Sequence, residues 1–383
     1  MDQDRILELD VLRGLAILLV MGVHVPAYPI WSAVGGWGVD LFFVLSGFLI
    51  ANLLFTEYRK TGNIRFVRFF IRRALKLYPS FYILLALTVV YCCDRHVHFT
   101  GRQLLGEMLL TQNYIGAIWG HTWSLAVEEH FYILLPLLVA FMLKRRPGSS
   151  DPFRAIPYVF LGIGVACLAL RIVNSMRYPL YSHPIHYEPS HLRFDTLFFG
   201  VFLAYLHNFH TGILQRLMTY PFRFPIAAVG VLSFIPAIFL SPTEPIVYTL
   251  GFTSIYFGFG TMLLLSIYKE PSGRPQPGFV FRSIGKIGTY SYTLYLWHLP
   301  TAQVFSTLAS RFLTVNQYVL HAAYLTASIA IAVCLSKLIE IPVLRLRERL
   351  FPAPASGQPC PRVDAMAVSW TNRNKWAGRQ ELA

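Results

Sequence analysis

Apolar stretches long enough to approach a membrane's thickness recur along the chain, separated by short polar segments in which Lys and Arg gather. A bilayer core about 30 Å thick needs roughly 20 apolar residues at about 1.5 Å of helical rise each. Ten stretches come close: residues 9–25, 37–55, 77–93, 123–143, 155–173, 194–209, 222–240, 246–267, 287–309 and 318–341. The first and sixth are short. The pattern predicts an all-α polytopic membrane protein with about ten transmembrane helices. Composition points the same way: 55% of the 383 residues are hydrophobic and 14% are charged. The mean hydropathy is +0.49, well away from soluble globular domains.

Charge placement then orients the chain, because short cytoplasmic loops retain Lys and Arg while exported loops avoid them. With the N-terminus inside, only Arg95, Arg102, Arg171, Arg177, Arg193 and Arg311 of the 33 basic residues fall in outer segments. Ten spans with both termini cytoplasmic are therefore self-consistent. The net charge of +14 follows from this asymmetry; with no zinc-finger spacing or RNA-binding motif, it carries no nucleic-acid reading. The first apolar run is interrupted by Arg13 and followed by bulky VHVPAYPIW with no small-x-small cleavage site, so it reads as an uncleaved helix. The five cysteines form no CxxC pair, which argues against a disulfide framework or a thiolate zinc site. Residues 1–350 read as one transmembrane domain, and 351–383 as a polar cytoplasmic tail whose PAPASGQPCPR, from Pro352, has loop composition.

Two ionisable residues break the first apolar run. Arg13 and His24 are eleven residues apart, which at about 100° per residue is only about 20° from three full turns, so a continuous helix puts them on one face roughly 16 Å apart. Ionisable groups at that depth are costly and face an interior cavity. The competing reading makes Arg13 a snorkelling topology anchor and His24 an outer cap.

Further polar residues stand in four blocks: WGVDLFFVLSGFLI (Trp37–Ile50) with Asp40 and Ser46, RFVRFFIRRALKLYPSFY (Arg65–Tyr82) closing the loop before the third span, HTWSLAVEEHFYILLP (His121–Pro136), and YSYTLYLWHLP (Tyr290–Pro300). Together with the arginine–ten residues–histidine spacing, they resemble the integral-membrane acyltransferase family of acyltransferase 3 type, which includes bacterial O-antigen and Nod-factor acetylases and macrolide acylases. The resemblance runs from Leu9 to about Pro342 with the blocks in the family's order. It implies a multi-pass O-acyltransferase of the bacterial cytoplasmic membrane. Such an enzyme moves a short acyl group, acetyl or similar, from cytoplasmic acyl-CoA to a hydroxyl of a sugar, glycan or glycosylated metabolite, without a metal. The soluble esterase-like domain of some members has no room here, so a bare membrane core is expected. The family's RxxR pattern ends in lysine at Arg73-Ala-Leu-Lys76, which supplies a point charge in place of a fork.

The residues carry chemistry without the name. Moving an acyl group from a thioester to an alcohol needs a base within hydrogen-bond reach of the alcohol, and histidine is the usual choice. His24 fits that role, and the imidazolium it becomes calls for a carboxylate, either Asp40 or Glu128. Asp40 reads equally as a buried hydrogen-bonding residue. Glu128 and Glu129 project about 100° apart on a helix, and the match to the family's block selects Glu128. Coenzyme A carries phosphates at one end and a thioester at the other. Cations therefore belong at the cytoplasmic face, with Arg72, Arg73 and Lys76 for the phosphates and Arg13 for the arm or the thioester oxygen. Arg59, Lys60 and Arg65 read as topology charges facing anionic lipid.

In the ninth span Ser291, Tyr295 and His298 share one helical face and match the family's SY-x-x-YL-x-H block. His298 reads either as a cavity residue or as a packed histidine bonded to a carbonyl. The loop SHPIHYEPSHLRFD (Ser182–Asp195) gathers His183, His186, Glu188, His191, Arg193 and Asp195. Its spacing matches no standard metal-ligand pattern, so recognition of a polar acceptor at the outer face is the better reading, with Arg193 and Asp195 as cavity candidates. A direct transfer fits one base between donor and alcohol. An acyl-enzyme through Ser46 is the other route, against which stands the use of small residues as packing contacts in membrane helices. A proton-coupled transporter or flippase of an anionic or glycan solute is the rival function, since buried Arg, His, Asp and Glu suit it as well.

Overall fold

The computed structural model describes residues 6–24, 28–268, 277–311 and 316–352, with the side chains of 308–311 excepted. Twelve helices carry the architecture: α1 (Leu7–Gly22), α2 (Trp37–Thr61), α3 (Phe66–Arg95), α4 (Trp123–Arg145), α5 (Ile156–Arg177), α6 (Phe194–Phe209), α7 (Arg223–Leu232), α8 (Phe252–Ile267), α9 (Phe279–Thr289), α10 (Ser291–Arg311), α11 (Gln317–Leu335) and α12 (Ile341–Leu350). Shorter helical turns connect them, and among the described residues there is no strand. The predicted apolar stretches are helical over most of their described length, but 222–240 is broken between α7 and Ile235–Phe239, and 287–309 is divided between α9 and α10. The polar tail expected at 351–383 lies, from residue 353 onward, outside the described residues.

Among the described residues six helices are long and apolar enough to cross a membrane by themselves: α2, α3, α4 with the turn before it, α5, α8 with the π-helical Val247–Gly251, and α11 continued through Ser336–Glu340 into α12. The bent pair of α6 and Thr211–Leu217, which turns by 104°, brings the number to seven. The other predicted stretches form shorter or more polar helices. α1 is 16 residues long and carries Glu8, Asp10 and Arg13, while α10 contains Ser291, Thr293, His298, Thr301 and Gln303.

Lipid-facing and protein-facing surfaces divide as membrane solvation demands. Leu161, Val165 and Met176 of α5 point outward, uncovered by protein, while Phe43, Leu45 and Phe48 of α2 are buried in the core. Where no water drives helices together, close packing of small residues does so. On α2 and α6 two glycines face each other's backbone. A Cβ on Gly47 would lie 1.9 Å from the Leu197 carbonyl oxygen, and one on Gly200 would lie 2.3 Å from that of Val44. α1 and α9 repeat the device, since a Cβ on Gly288 would lie 1.8 Å from the Asp10 carbonyl oxygen.

Candidate active site

The RRALK run is helical. The chain before the third span, expected as a loop, enters α3 already at Phe66, so Phe69, Arg72, Arg73 and Lys76 fall at i, i+3, i+4 and i+7 on one face. That face borders a cavity of about 810 Å³. Arg13 of α1, Lys60 of α2, Arg68, Arg72, Arg73 and Lys76 of α3 and Arg347 of α12 line it, with Glu57 and Glu128 as the carboxylates on its wall. Seven basic side chains against two carboxylates leave the wall strongly basic, and a guanidinium fork has the geometry to pair with a carboxylate or phosphate. Arg68 and Arg347 were missed by sequence reasoning. So was the placement of Lys60, whose charge had a sufficient topological reason.

On the wall, Arg73 Cζ lies over the Tyr132 ring, 3.9 Å from its centroid, and the guanidinium reaches Glu128 at 3.7 Å. Tyr132, one turn beyond Glu128 on α4, donates to its carboxylate at 2.6 Å and shares a 2.5 Å hydrogen bond with Ser46. Arg72 is forked onto Glu348 of α12 at 2.8 and 3.0 Å. Arg13 bonds Asp10 on its own helix at 2.8 Å.

Tyr295 and Ser124 also line the cavity, joined by a 2.5 Å hydrogen bond. A cluster of three histidines adjoins Tyr295. His298 and His121 pack on its ring at 5.6 and 5.5 Å between centroids, 5.0 Å from each other, and His24 lies 5.3 Å from His298. α1 ends at Gly22, so His24 sits in the turn beyond the helix and not on it as the eleven-residue spacing suggested. Neither His24 nor His298 is among the cavity-lining residues. His298 Nδ1 meets the Tyr295 carbonyl at 2.6 Å and His121 Nε2 meets that of Leu296 at 3.2 Å. A carbonyl only accepts, so those nitrogens carry the protons. The other nitrogens, His298 Nε2 and His121 Nδ1, are then buried acceptors with no partner in the structure. The arrangement can receive a donor such as a hydroxyl or an imidazolium. His121 was quoted in its sequence block but given no role. Its loop is held by Glu107 of the helix Gly101–Leu109, whose carboxylate accepts from Ile118 N, Trp119 N and Thr122 Oγ1 at 2.9–3.1 Å; burial pushes that carboxyl up.

The remaining candidates are brought together elsewhere. Asp40 is ion-paired with Arg193, and Asp195 with Arg171 at 2.7 Å. All four side chains are at most 1% exposed. Arg193 also lies over the Phe252 and Tyr187 rings at 4.1 and 4.7 Å. Arg193 and Asp195, expected on a cavity wall open to an acceptor, do not line the cavity. They tie the 182–195 loop into the bundle. Among the described residues no His, Cys, Asp and Glu group is arranged to hold a metal.

Comparison with known proteins matches residues 6–339 to the acyltransferase domain family. The peptidoglycan O-acetyltransferase OatA of Listeria monocytogenes is 27% identical over 362 residues, covering 88% of this chain and 55% of that protein. The O-acetyltransferase OatA of Staphylococcus aureus is 27% identical over 313 residues, covering 76% of this chain and 50% of that protein. The chain thus spans about half the length of the curated relatives it matches. No solved structure matches it.

Proposed function

The chain belongs to the acyltransferase family, a group of multi-pass membrane proteins, and from that premise we propose that it moves a short acyl group, acetyl foremost, from acyl-CoA to a glycan hydroxyl. Peptidoglycan, the substrate in the name of the Listeria relative, is the first glycan to try. The observation that carries the reading is the cation-lined cavity that includes Tyr295 in its wall, with His298 and His121 packed on that ring and His24 against His298. We count ten crossings, adding α1, α6, α7 with its continuation Ile235–Phe239, and α10 to the six that pass by length and apolarity. Both termini are then cytoplasmic and residues 1–350 form one catalytic domain. In this orientation the cations contributed by inner segments meet the donor on its own side of the membrane.

The phosphates lie among Arg72, Arg73 and Lys76, and the thioester arm extends past Ser46 and Tyr132 toward Ser124 and Tyr295, with Arg13 alongside. The acceptor hydroxyl enters on the histidine side. His24 takes its proton, the oxygen bonds the acyl carbon, the carbon–sulfur bond breaks, and the proton passes to the departing thiolate. Glu128 acts through Arg73 and Tyr132, which it already engages. Asp40 serves the fold through Arg193.

Thermal stabilisation of the detergent-purified chain by coenzyme A and acetyl-CoA tests the donor without knowledge of the acceptor. A ligand that binds only the folded state adds about 2.7 kcal/mol at a hundred times its Kd. We expect that shift in the wild type and its loss in a folded Arg73→Glu/Lys76→Glu variant. Folded wild type that shows no shift with either ligand overturns the donor reading.

A further inference from the structure

The cavity's wall is completed by a helix that sequence reasoning assigned only to topology. We infer that α12 is part of the donor site, with Arg347 a further phosphate-binding residue and Glu348 a placeholder that occupies Arg347 and Arg72 until phosphate displaces it. This rests on the reading of the cavity as a coenzyme A site.

The geometry is that of one carboxylate shared by two guanidinium groups from opposite ends of the chain. Arg72 of α3 donates from Nη1 and Nη2 to Glu348 Oε2 and Oε1 at 3.0 and 2.8 Å. Arg347 donates to the same Oε1 from Nη2 and Nε at 2.5 and 3.2 Å. Arg72 further bonds the carbonyl of Phe351. Arg72 and Arg347 line the cavity, whereas Glu348 is not among the lining residues. Parallel N–H···O pairs of this kind are how a guanidinium also takes a phosphate. The two arginines would repel each other if left alone, and the carboxylate offsets that repulsion at rest.

Glu348 can also be displaced. Its side chain is 46% exposed, so water screens the pairs, and exposed ion pairs hold weakly. A phosphate brings more charge and more acceptor oxygens to the same forks. Donor entry therefore exchanges Glu348 for phosphate and leaves α3 and α12 bridged by the ligand.

The test is equilibrium binding of coenzyme A to the full chain in detergent, for wild type, Glu348→Gln, Arg347→Gln and Arg347→Lys, at two salt concentrations. We expect Glu348→Gln to bind about two- to fivefold tighter, the size of a weak competing ion pair. Arg347→Gln should bind about tenfold weaker with a shallower salt dependence, the loss expected for one charge-assisted contact, and Arg347→Lys should fall between. Misfolding cannot tighten binding, so the gain in Glu348→Gln is free of that ambiguity. Unchanged or weaker binding in Glu348→Gln overturns the placeholder, and unchanged binding in Arg347→Gln overturns the role of α12. If wild type binds and neither variant differs, this inference falls while the donor reading stands. If folded wild type does not bind coenzyme A, both fall.

Discussion

A base that gains a proton in a membrane calls for a carboxylate beside it, yet the ring that packs on His24 is that of His298, which packs in turn on His121. The two carboxylates that sequence reasoning offered are engaged elsewhere, Glu128 by Arg73 and Tyr132 and Asp40 by Arg193. Proton placement gives His298 an unpartnered acceptor nitrogen near His24, so an imidazole can stand where the carboxylate was expected. Ser46 separates the two chemical routes. Its hydroxyl is bonded to Tyr132 at 2.5 Å, a contact whose loss costs about 1 kcal/mol, or about fivefold. In membranes supplied with isotope-labelled acetyl-CoA, direct transfer predicts that Ser46→Ala keeps acetylation within about tenfold of wild type. His24→Ala should lose about a hundredfold or more. Labelled acetyl found on Ser46 by mass spectrometry, with activity abolished in Ser46→Ala, would overturn direct transfer.

At the scale of elements, the SGF block has a packing reason besides any chemical one. Gly47 and Gly200 let α2 and α6 touch backbone to backbone, which holds Ser46 at the cavity wall. A side chain there meets a carbonyl that cannot yield, so Gly200→Val should cost about 3 kcal/mol, seen as a lowered thermal midpoint in detergent. Gly162, on α5, has open space where a Cβ would stand, and Gly162→Val is the control expected to leave stability within about 0.5 kcal/mol. Equal effects of the two would contradict the packing account. Element type was legible within the apolar runs, because an apolar run of membrane length has one way to satisfy its backbone. Boundaries were less so. The end of α1 at Gly22 and the early start of α3 at Phe66 depend on neighbours that a hydropathy window does not see. Two tryptophans at the N-terminal end of α4 turn inward: Trp123 is buried, and Trp119 Nε1 bonds Thr88 at 2.8 Å.

Across the whole molecule, the paired Arg193–Asp40 and Arg171–Asp195 bridges fasten α2, α5 and α6 with the loop that enters α6. Removing one member of a buried pair strands the other charge. Arg193→Met should therefore cost about 3–5 kcal/mol, while Asp40→Leu/Arg193→Met should recover most of that loss. Thermal unfolding of the two variants and the Asp40→Leu single mutant gives the coupling. A double mutant no more stable than Arg193→Met would mean that the pair is not the unit. The cation-lined cavity is likewise a property of the assembled bundle, since its basic side chains come from residues 13, 60, 68–76 and 347.

The sequence by itself determined the helical class, the membrane as solvent and the family, and it named Arg13, Ser46, Arg72, Arg73, Lys76, Glu128 and Tyr295 among the residues that line the cavity. These follow from local quantities: apolar run length, helical period and the spacing of a few motifs. Only the tertiary structure decided which charges meet. It gave Asp40 to Arg193, Glu128 to Arg73, and Glu348 to both Arg72 and Arg347, and it set a cluster of three histidines beside Tyr295. Ion pairing in a low-dielectric interior depends on distances of a few ångströms. Those distances are set by how whole helices, hundreds of residues apart in the chain, rotate and pack against one another.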